Sequence, residues 1–369
     1  MKTKLICLLI TGLGIISLSG CLEHRFQVRL NNDGSVEAGY RLEGTPSDFG
    51  GDHFLLPDSA RWQLKRTTEN REDETVERLE ASATISRYDS LRHYFDWRNS
   101  PADTIFLIPE LTLDRRWHIA GQRWTFRAVL PSRRFKEFYG DETEFIPPEC
   151  AALLENDSLA ETLPPEEVSR LEKRYAMGIL QWNNERYLRR FDQVWEAVNK
   201  ADTDLPAVAP ETFSIARAAW AEDLHRYLNQ MDVPADPELM NLEWWAELKP
   251  LFLGHFVDLL GAEQIPVVIV VAEASEREYQ ISKSLKTDSY QVRSRLPGIR
   301  LKSPPAEREG EWLIWKCSGE ELLNEDRSFF AASFQPSYWR VALVLALAFI
   351  AAILLVRRMR RRGGSGSDG

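Results

Sequence analysis

Residues 341–356 read VALVLALAFIAAILLV and are followed at once by RRMRRR at residues 357–362. The first segment has no charged residue, and as a helix it is about 24 Å long, slightly short of the roughly 30 Å hydrocarbon core of a bilayer. A buried helix of a soluble domain seldom lacks a polar face altogether and then ends in a block of arginines. We therefore predict that residues 338–357 form a transmembrane helix.

The residues that flank this segment predict its placement in the membrane. Tyr338 and Trp339 are aromatic residues of the kind that line a membrane–water interface, and Arg357 and Arg358 can extend toward the opposite surface. Five arginines follow the apolar segment, and such clusters stay on the cytoplasmic side. The tail at residues 358–369 is therefore predicted to be cytoplasmic, and the chain before Tyr338 is predicted to be external.

The start of the chain has the pattern of an export signal. Two lysines precede a short apolar run, which ends in Leu-Ser-Gly-Cys at residues 18–21. This order resembles the bacterial lipobox, which implies that residues 1–20 are removed and that Cys21 is lipidated as the first residue of the mature chain. The alternative is an ordinary signal peptide with an incidental cysteine.

These two anchors and the charge of the chain set its expected location and partners. A spanning helix holds a protein more firmly than acyl chains alone, which favours the bacterial cytoplasmic (inner) membrane with the main domain on the external, periplasmic side. The chain has 46 basic and 56 acidic residues, a net charge of −10. A nucleic-acid partner is not expected at that charge and location, and anionic lipids would be repelled unless a local basic patch overrides the average. The expected partners are the membrane itself and an envelope lipid, glycan or membrane protein.

Strand and helix patterns divide the external part into three. Alternating apolar and polar residues predict strands at residues 24–30, 36–42, 79–85 and 117–130, and again at 265–271, 279–296, 312–317 and 329–334. Between these groups, apolar residues at helical spacing predict helices at 164–199, 211–231 and 237–260, the last kinked or divided at Pro250.

This order predicts an α+β fold, with an antiparallel β-sheet domain, an inserted helical subdomain and one C-terminal transmembrane helix. The predicted parts are an N-terminal β-rich part at residues 21–146, a helical insertion at 147–262 and a C-terminal β part at 263–336. Two cysteines, Cys150 and Cys317, remain in the external part, where a disulfide could persist. Two separate buried thiols are an equally weighted alternative. The distance and orientation of the two cysteines decide whether they can pair, and the sequence does not supply them.

Tryptophans are the most unusual feature of the helical segment. Five of them fall on the predicted helices, mostly on the apolar faces, namely Trp182, Trp195, Trp220, Trp244 and Trp245. Core packing is the simple use for such residues, and an aromatic-lined cleft for a lipid or glycan is the alternative.

Short motifs at both ends of the external part resemble those of LppM-type lipoproteins. They are Leu-Pro-Gly at residues 296–298, Glu-Trp-Leu-Ile-Trp at 311–315, Phe-Ala-Ala-Ser at 330–333 and a membrane helix, together with an Asn-Asp-Gly hairpin after Cys21. The resemblance leaves the helical middle unmatched. It implies an external α+β domain with a lipid-binding or envelope role.

No motif for catalysis or cofactor binding stands out. The six histidines have no helical metal-ligand spacing, and we find no nucleophile elbow or phosphate-binding loop. His255 is predicted to be a packed histidine, with Asp258 as an ion-pair partner. We therefore predict a membrane-anchored lipoprotein that binds an envelope component without catalysis or a cofactor. The alternatives are an exported hydrolase with a dispersed active site and a docking subunit of an inner-membrane complex.

Overall fold

The computed structural model describes residues 22–50, 54–71, 74–98, 106–155, 162–201, 208–230, 244–303 and 306–363. The predicted signal peptide and the lipidation at Cys21 lie outside these residues. The chain divides into two compact units, one formed by Met1–Ser132 with Ser284–Gly369 and one by Arg133–Lys283. We call them the sheet unit and the helical unit, and the predicted α+β class is confirmed.

The sheet unit contains the strands. They are β1 (Glu23–Leu30), β2 (Val36–Gly44), β3 (Gln63–Arg71), β4 (Glu74–Ile85), β5 (Glu110–His118), β6 (Gly121–Leu130), β7 (Ser289–Arg295), β8 (Ile299–Lys302), β9 (Glu307–Glu309), β10 (Trp312–Ser318) and β11 (Arg327–Pro336). Its helices are α1 (Leu91–Phe95), α8 (Gly319–Asn324) and α9 (Tyr338–Gly363).

The strands form two sheets, and each sheet joins the segments on both sides of the helical unit. The larger sheet has the order β3-β4-β2-β1-β7-β10-β9, and the smaller has the order β5-β6-β11-β8. Strands β1 and β7 pair in parallel, whereas the other pairs are antiparallel. The helical unit is therefore inserted within the sheet unit, between β6 and β7.

Alternating side chains explain why these segments are strands. Phe26, Val28 and Leu30 of β1 are buried on one face, and the intervening residues are half-buried. Phe126 of the smaller sheet lies 6.3 Å from Trp315 of the larger sheet, measured between ring centroids. The buried faces of the two sheets thus contribute to one core.

The helical unit contains six helices among its described residues. They are α2 (Phe135–Tyr139), α3 (Pro148–Glu155), α4 (Pro165–Ala201), α5 (Pro210–Gln230), α6 (Trp244–Leu260) and α7 (Ile265–Ser284). The predicted helices at 164–199 and 211–231 are confirmed as α4 and α5. Helix α6 runs through Pro250 without a break, and the predicted start of this helix at residue 237 lies outside the described residues.

The prediction of a strand at residues 265–271 was wrong, because this β-branched run begins helix α7. Pro266 stands in the first turn, where its missing N–H costs no helical hydrogen bond. Val268, Ala272 and Tyr279 are buried at intervals of four and seven residues, which is a helical spacing. Packing in the core of the helical unit overrides the strand propensity of the valines and isoleucines.

Helix α9 contains the predicted membrane span. Tyr338–Arg357 is long and apolar enough to cross a membrane, and none of it is buried against the rest of the chain. The large apolar side chains of this segment are exposed. By length and composition, this helix could therefore span a membrane.

Candidate functional site

The turn between β5 and β6 is held against the start of α9. The backbone N–H of Ser337 donates to the carbonyl oxygen of Ala120 over 2.9 Å. Gly121 pairs with Pro336, and a Cβ atom on Gly121 would lie 2.3 Å from the carbonyl oxygen of Gln335. Only a glycine permits this approach, so the turn and the first residues of α9 form one structural element.

A polar side chain fixes the same junction. The amide oxygen of Gln335 accepts hydrogen bonds from the side chain of Gln122 and from Trp124 Nε1, the latter over 3.1 Å. The amide nitrogen of Gln335 donates to Asn32 Oδ1 over 3.1 Å. The turn after β1 therefore lies at the same end of the sheet unit as the start of α9.

Arginine and aromatic side chains alternate across this junction. The Arg115 guanidinium carbon lies 5.6 Å from the Trp124 ring centroid and 4.6 Å from that of Trp117. The Arg340 guanidinium carbon lies 4.5 Å from Trp117 and 5.2 Å from Trp339. We call this series, Trp124–Arg115–Trp117–Arg340–Trp339, the cation–aromatic ladder. It leads from the core of the smaller sheet to the first turn of α9.

The outer part of this ladder is open to the surroundings. Trp117 is 56% exposed, Ile119 at the turn is 77% exposed, and Trp339 is 65% exposed. Trp117, Trp339 and Arg340 also line a cleft of about 240 Å³ with the residues of the turn. Large apolar side chains clustered on a surface in this way favour contact with an apolar environment or a ligand over contact with water.

The outer face of the smaller sheet adds positive charge to this end. Arg116 and Arg123 are directly paired across β5 and β6, and Arg127 lies on the same face of β6. All three are exposed, and none forms an ion pair with the described residues. Like charges in direct register destabilise a sheet, so the pairing of Arg116 with Arg123 does not favour the fold. This face therefore carries three exposed arginines against two exposed carboxylates, Asp114 and Glu110.

The structure places the predicted interface residues at the two ends of α9. Tyr338 and Trp339 are exposed in its first turn, and Arg357 is exposed at the other end of the apolar segment. The side chain of Arg358 lies outside the described residues. Sequence reasoning identified Tyr338 and Trp339 but not Trp117 or Arg115, because only strand pairing brings residue 117 close to residue 339.

The predicted aromatic residues of the helical unit fill its core. Trp195, Trp220 and Trp245 pack in or against the main apolar cluster, where Trp220 contacts Phe252 at 5.4 Å between ring centroids. Trp182 is buried, and its Nε1 donates to the carbonyl oxygen of Gly140 over 3.4 Å. The side chain of Trp244 lies outside the described residues. The described tryptophans of the helical unit therefore act as core residues in this structure.

A row of buried polar residues on α4 was missed in the sequence. Asn183, Arg186, Tyr187 and Arg190 recur at helical spacing and are all buried. Arginines are rarely buried without a partner, so in the sequence these two were indistinguishable from a solvated helix face. The one feature of the sequence that indicated their burial was their position between the apolar residues Ile179 and Val194.

The two buried arginines, Arg186 and Arg190, differ in their hydrogen-bond and ion-pair partners. Arg190 forms an ion pair with Glu276 and donates to the carbonyl oxygen of Ala272, with its guanidinium carbon 3.6 Å from the Trp245 ring centroid. Burial lowers the pKa of Arg190, and Glu276 acts against that shift. The nitrogens of Arg186 make no hydrogen bond within the described structure.

Two histidines pair with carboxylates, and the first of these pairs is fully buried. His24 lies between the Tyr40 hydroxyl at 3.1 Å and Asp288 Oδ2 at 3.2 Å, and all three residues are buried. A substrate cannot reach these three enclosed side chains. Burial and the charge of Asp288 raise the pKa of Tyr40, which keeps its hydroxyl neutral.

The second histidine corrects a sequence prediction. His255 pairs with Asp223 at 3.1 Å, rather than with Asp258, and lies against Trp220. Asp223 also forms an ion pair with Arg226. The partner comes from α5 because the helix-to-helix packing brings Asp223 closer than the residue one turn along α6. The prediction of a packed histidine is confirmed.

The remaining cysteines do not form a disulfide in this structure. Cys150 belongs to the helical unit and Cys317 to the sheet unit, and both are buried free thiols. Burial, together with the nearby charge of Glu321, raises the pKa of Cys317 to about 12. The described residues contain no group of three or more His, Cys, Asp or Glu side chains that could hold a metal ion.

Comparison with known proteins does not assign the chain to a family. No protein-family model matches it, and no curated protein matches it in sequence. The NMR structure of the folded domain of Mycobacterium tuberculosis LppM matches with a TM-score of 0.31 and 8% sequence identity, over 86% of this chain and 92% of that chain. A TM-score this low does not establish a shared fold, so the resemblance to LppM-type lipoproteins stays a prediction.

Proposed function

We propose that this chain is a membrane-anchored envelope protein whose smaller sheet binds anionic phospholipid headgroups at the external surface of the membrane. Helix α9 spans the bilayer in this proposal, with its arginine-rich end in the cytoplasm. The cation–aromatic ladder is the observation that carries the proposal. It supplies cationic and interfacial aromatic groups at the point where the chain enters the membrane.

The chemistry of the ladder suits lipid phosphates. Arg115 and Arg340 are stacked on aromatic faces, which leaves the N–H groups in the guanidinium plane free to donate to phosphate oxygens. The described structure gives neither arginine an ion-pair partner. Arg116 and Arg123 extend the positive charge over the outer face of the sheet, and each basic residue near an anionic surface contributes about 1 kcal/mol.

The exposed apolar residues suit the same surface. If α9 crosses the bilayer, the hydrogen bond between Ser337 and Ala120 fixes the β5–β6 turn at the level of the interface. Ile119 and Trp117 would then be removed from water. At about 25 cal/mol per Å² of apolar area, burying two such side chains stabilises the docked position by a few kcal/mol.

Lipid selection tests this function directly. We would place the full chain in nanodiscs that contain equal amounts of anionic and zwitterionic phospholipid, and identify the retained lipids by native mass spectrometry. The wild-type protein is expected to retain the anionic lipid preferentially. The double variant Arg115→Gln/Arg340→Gln is expected to lose that preference by at least fivefold, on the order of 1 kcal/mol.

A charge-matched variant controls for the loss of two cations. Arg29→Gln/Arg293→Gln removes two arginines of the larger sheet that pair with Glu37 and Glu309, and Arg293 also stacks on Trp312. This variant is expected to keep the wild-type preference. Equal lipid retention by both double variants would show that overall charge, and not the ladder, selects the lipid.

The orientation has a separate test. A reporter fused after Gly369 is expected to be active only in the cytoplasm, because the arginine block resists translocation. Activity of that reporter outside the cytoplasm would contradict the proposed topology while leaving the lipid-binding chemistry to the nanodisc experiment.

A further inference from the structure

Arg186 of the helical unit is a buried cation whose in-plane donors have no partner. The residue is 2% exposed, and its Nε, Nη1 and Nη2 atoms make no hydrogen bond with the described residues. Its guanidinium carbon lies 3.9 Å from the Tyr279 ring centroid and 4.4 Å from that of Tyr187. These rings interact with the faces of the guanidinium group, but they do not satisfy the N–H groups in its plane.

No described carboxylate is paired directly with Arg186, although the charge of Glu276 acts to stabilise the cation. Glu276 is hydrogen-bonded to Arg190, and Glu278 forms an ion pair with Arg133. Both carboxylates therefore already have a cationic partner, and no described carboxylate forms an ion pair with Arg186. Such a charge is costly inside a protein unless an opposite charge and hydrogen bonds accompany it.

Other polar atoms around Arg186 are also without partners. The Tyr187 and Tyr279 hydroxyls are buried and make no hydrogen bond with the described residues. Burial raises the pKa of Tyr279 to about 12, so its hydroxyl keeps its proton and can donate. Asn183 Oδ1, one turn along α4, is a single unpartnered acceptor. The group is therefore rich in donors, and its positive charge has no directly hydrogen-bonded anion.

We propose that this group binds a small oxyanion with one negative charge, such as a carboxylate or dihydrogen phosphate. The planar edge of Arg186 matches two oxygens of such an anion, and the two tyrosine hydroxyls donate to the remaining lone pairs. Because the site is enclosed, the ligand is a small free anion rather than the headgroup of a membrane lipid. This site is independent of the ladder and of the proposed lipid binding.

Thermal unfolding with added anions tests the proposal. The full chain in neutral detergent would be titrated with sodium phosphate and, separately, with sodium acetate, against sodium chloride of equal ionic strength. Helix content measured by circular dichroism reports the unfolding temperature, Tm. We expect phosphate or acetate to raise Tm in a saturable way that chloride does not reproduce, and the two titrations show which oxyanion is preferred.

Two methionine variants separate the site from a general effect of charge. Arg186→Met is expected to abolish the anion-dependent rise in Tm, and to keep or raise Tm without added anion because it removes a buried charge that has no hydrogen-bonded partner. Arg189→Met removes a half-exposed arginine that pairs with Glu185 one turn away, and is expected to keep the rise. A lower Tm for Arg186→Met together with an unchanged anion response would show that Arg186 has a purely structural role, which overturns the proposal.

A milder substitution keeps the test decisive if Arg186→Met does not fold. Tyr279→Phe keeps the ring that covers Arg186 and removes one donor hydroxyl, so the anion is expected to bind at least threefold more weakly. Absence of a saturable response to either oxyanion in the wild-type protein, or equal affinities in Tyr279→Phe and the wild type, would overturn the proposal.

Discussion

Arg340 and Trp117 show how single residues connect the smaller sheet to helix α9. The guanidinium of Arg340 stacks on Trp117 from the sheet and on Trp339 from the helix. Stacking holds the charge at a fixed place while the in-plane donors stay free. At the residue scale, the ladder therefore holds hydrogen-bond donors in fixed positions next to exposed aromatic side chains. A phosphate group at the surface of an apolar phase requires this combination.

Cys317 gives a residue-scale prediction about reactivity. Its pKa is raised from an ordinary value of 9.0 to about 12 by burial and by the charge of Glu321. At pH 8 the reactive thiolate is therefore rarer than for an unperturbed thiol by a factor on the order of a thousand. Because the folded state favours the neutral thiol, this group also makes the protein less stable as pH rises from about 9 to about 12.

Alkylation with iodoacetamide checks this reactivity. In the native protein at pH 8, Cys317 and the buried Cys150 are expected to react very slowly, and after denaturation without a reductant both are expected to react quickly. Rapid native modification of Cys317 would contradict the raised pKa. Modification of both cysteines only after a reductant is added would show that they form the disulfide instead of two free thiols.

At the scale of elements, the hairpin of β5 and β6 depends on close backbone contact with β11. A Cβ atom on Gly121 would lie 2.3 Å from the Gln335 carbonyl oxygen, whereas one on Gly39 of β2 would be 3.5 Å from the nearest atom, an ordinary contact. Gly121→Ala is therefore expected to weaken the pairing of β6 with β11 by about 1–3 kcal/mol through overpacking. Gly39→Ala, which places an alanine in another strand of the same unit, is expected to have a smaller effect.

Amide hydrogen exchange of the full chain measures this difference. Exchange in β6 and β11 is expected to be at least fivefold faster in Gly121→Ala than in the wild type, whereas Gly39→Ala leaves it near the wild-type rate. Equal protection of β6 and β11 in both variants would show that the turn is not fixed to the start of α9 by this contact.

The strands and helices were predictable from the sequence where one physical effect dominated. Alternation predicted β1 and β2, and helical spacing predicted α4 and α5, because each of these elements buries one face. The first turns of α7 were misassigned, because β-branched propensity and core packing point to different structures there.

Strand β3, QLKRTTENR at Gln63–Arg71, was missed because this edge strand is almost entirely polar. The strand predicted at residues 279–296 is limited to Ser289–Arg295, since the residues before it complete α7.

The candidate sites were less predictable than the fold. Trp117 and Arg340 are far apart in the sequence, and their contact depends on the register of β6 with β11. Arg186 has the helical position of a solvated arginine, and only the packing of α4 shows that it is buried. Side-chain environment is a property of the tertiary structure, whereas the pattern of a single element gives only which residues share a face.

At the scale of the whole molecule, the two predicted anchors attach to opposite ends of one strand. Leu22 precedes β1, whereas Asn32, after the other end of β1, is hydrogen-bonded to Gln335 just before α9. Eight residues of strand span about 26 Å. A lipid on Cys21 and a helix at Tyr338 therefore reach one membrane only if β1 runs along the membrane surface rather than away from it.

A probe near Leu22 checks this arrangement. The exposed Ser47 belongs to the loop of Asp48, and both Leu22 and Asp48 lie against Gly44. An environment-sensitive fluorophore at Ser47→Cys is expected to be quenched by brominated lipids in the wild-type background. The quenching is expected to disappear in Cys21→Ser, which removes the lipid. Quenching that is absent in both backgrounds would contradict the double anchor.

The position of the β5–β6 turn tests the central claim most directly. The full chain would be reconstituted with brominated phospholipids and labelled at Ile119→Cys or, as a control, at the exposed Glu325→Cys, which precedes β11 at the end remote from α9. We expect the fluorophore at residue 119 to be quenched strongly, most of all by bromines placed near the headgroups, and the one at residue 325 to remain unquenched. Equal quenching at both positions, or none at residue 119, would contradict an account in which this turn and its ladder lie in the membrane interface.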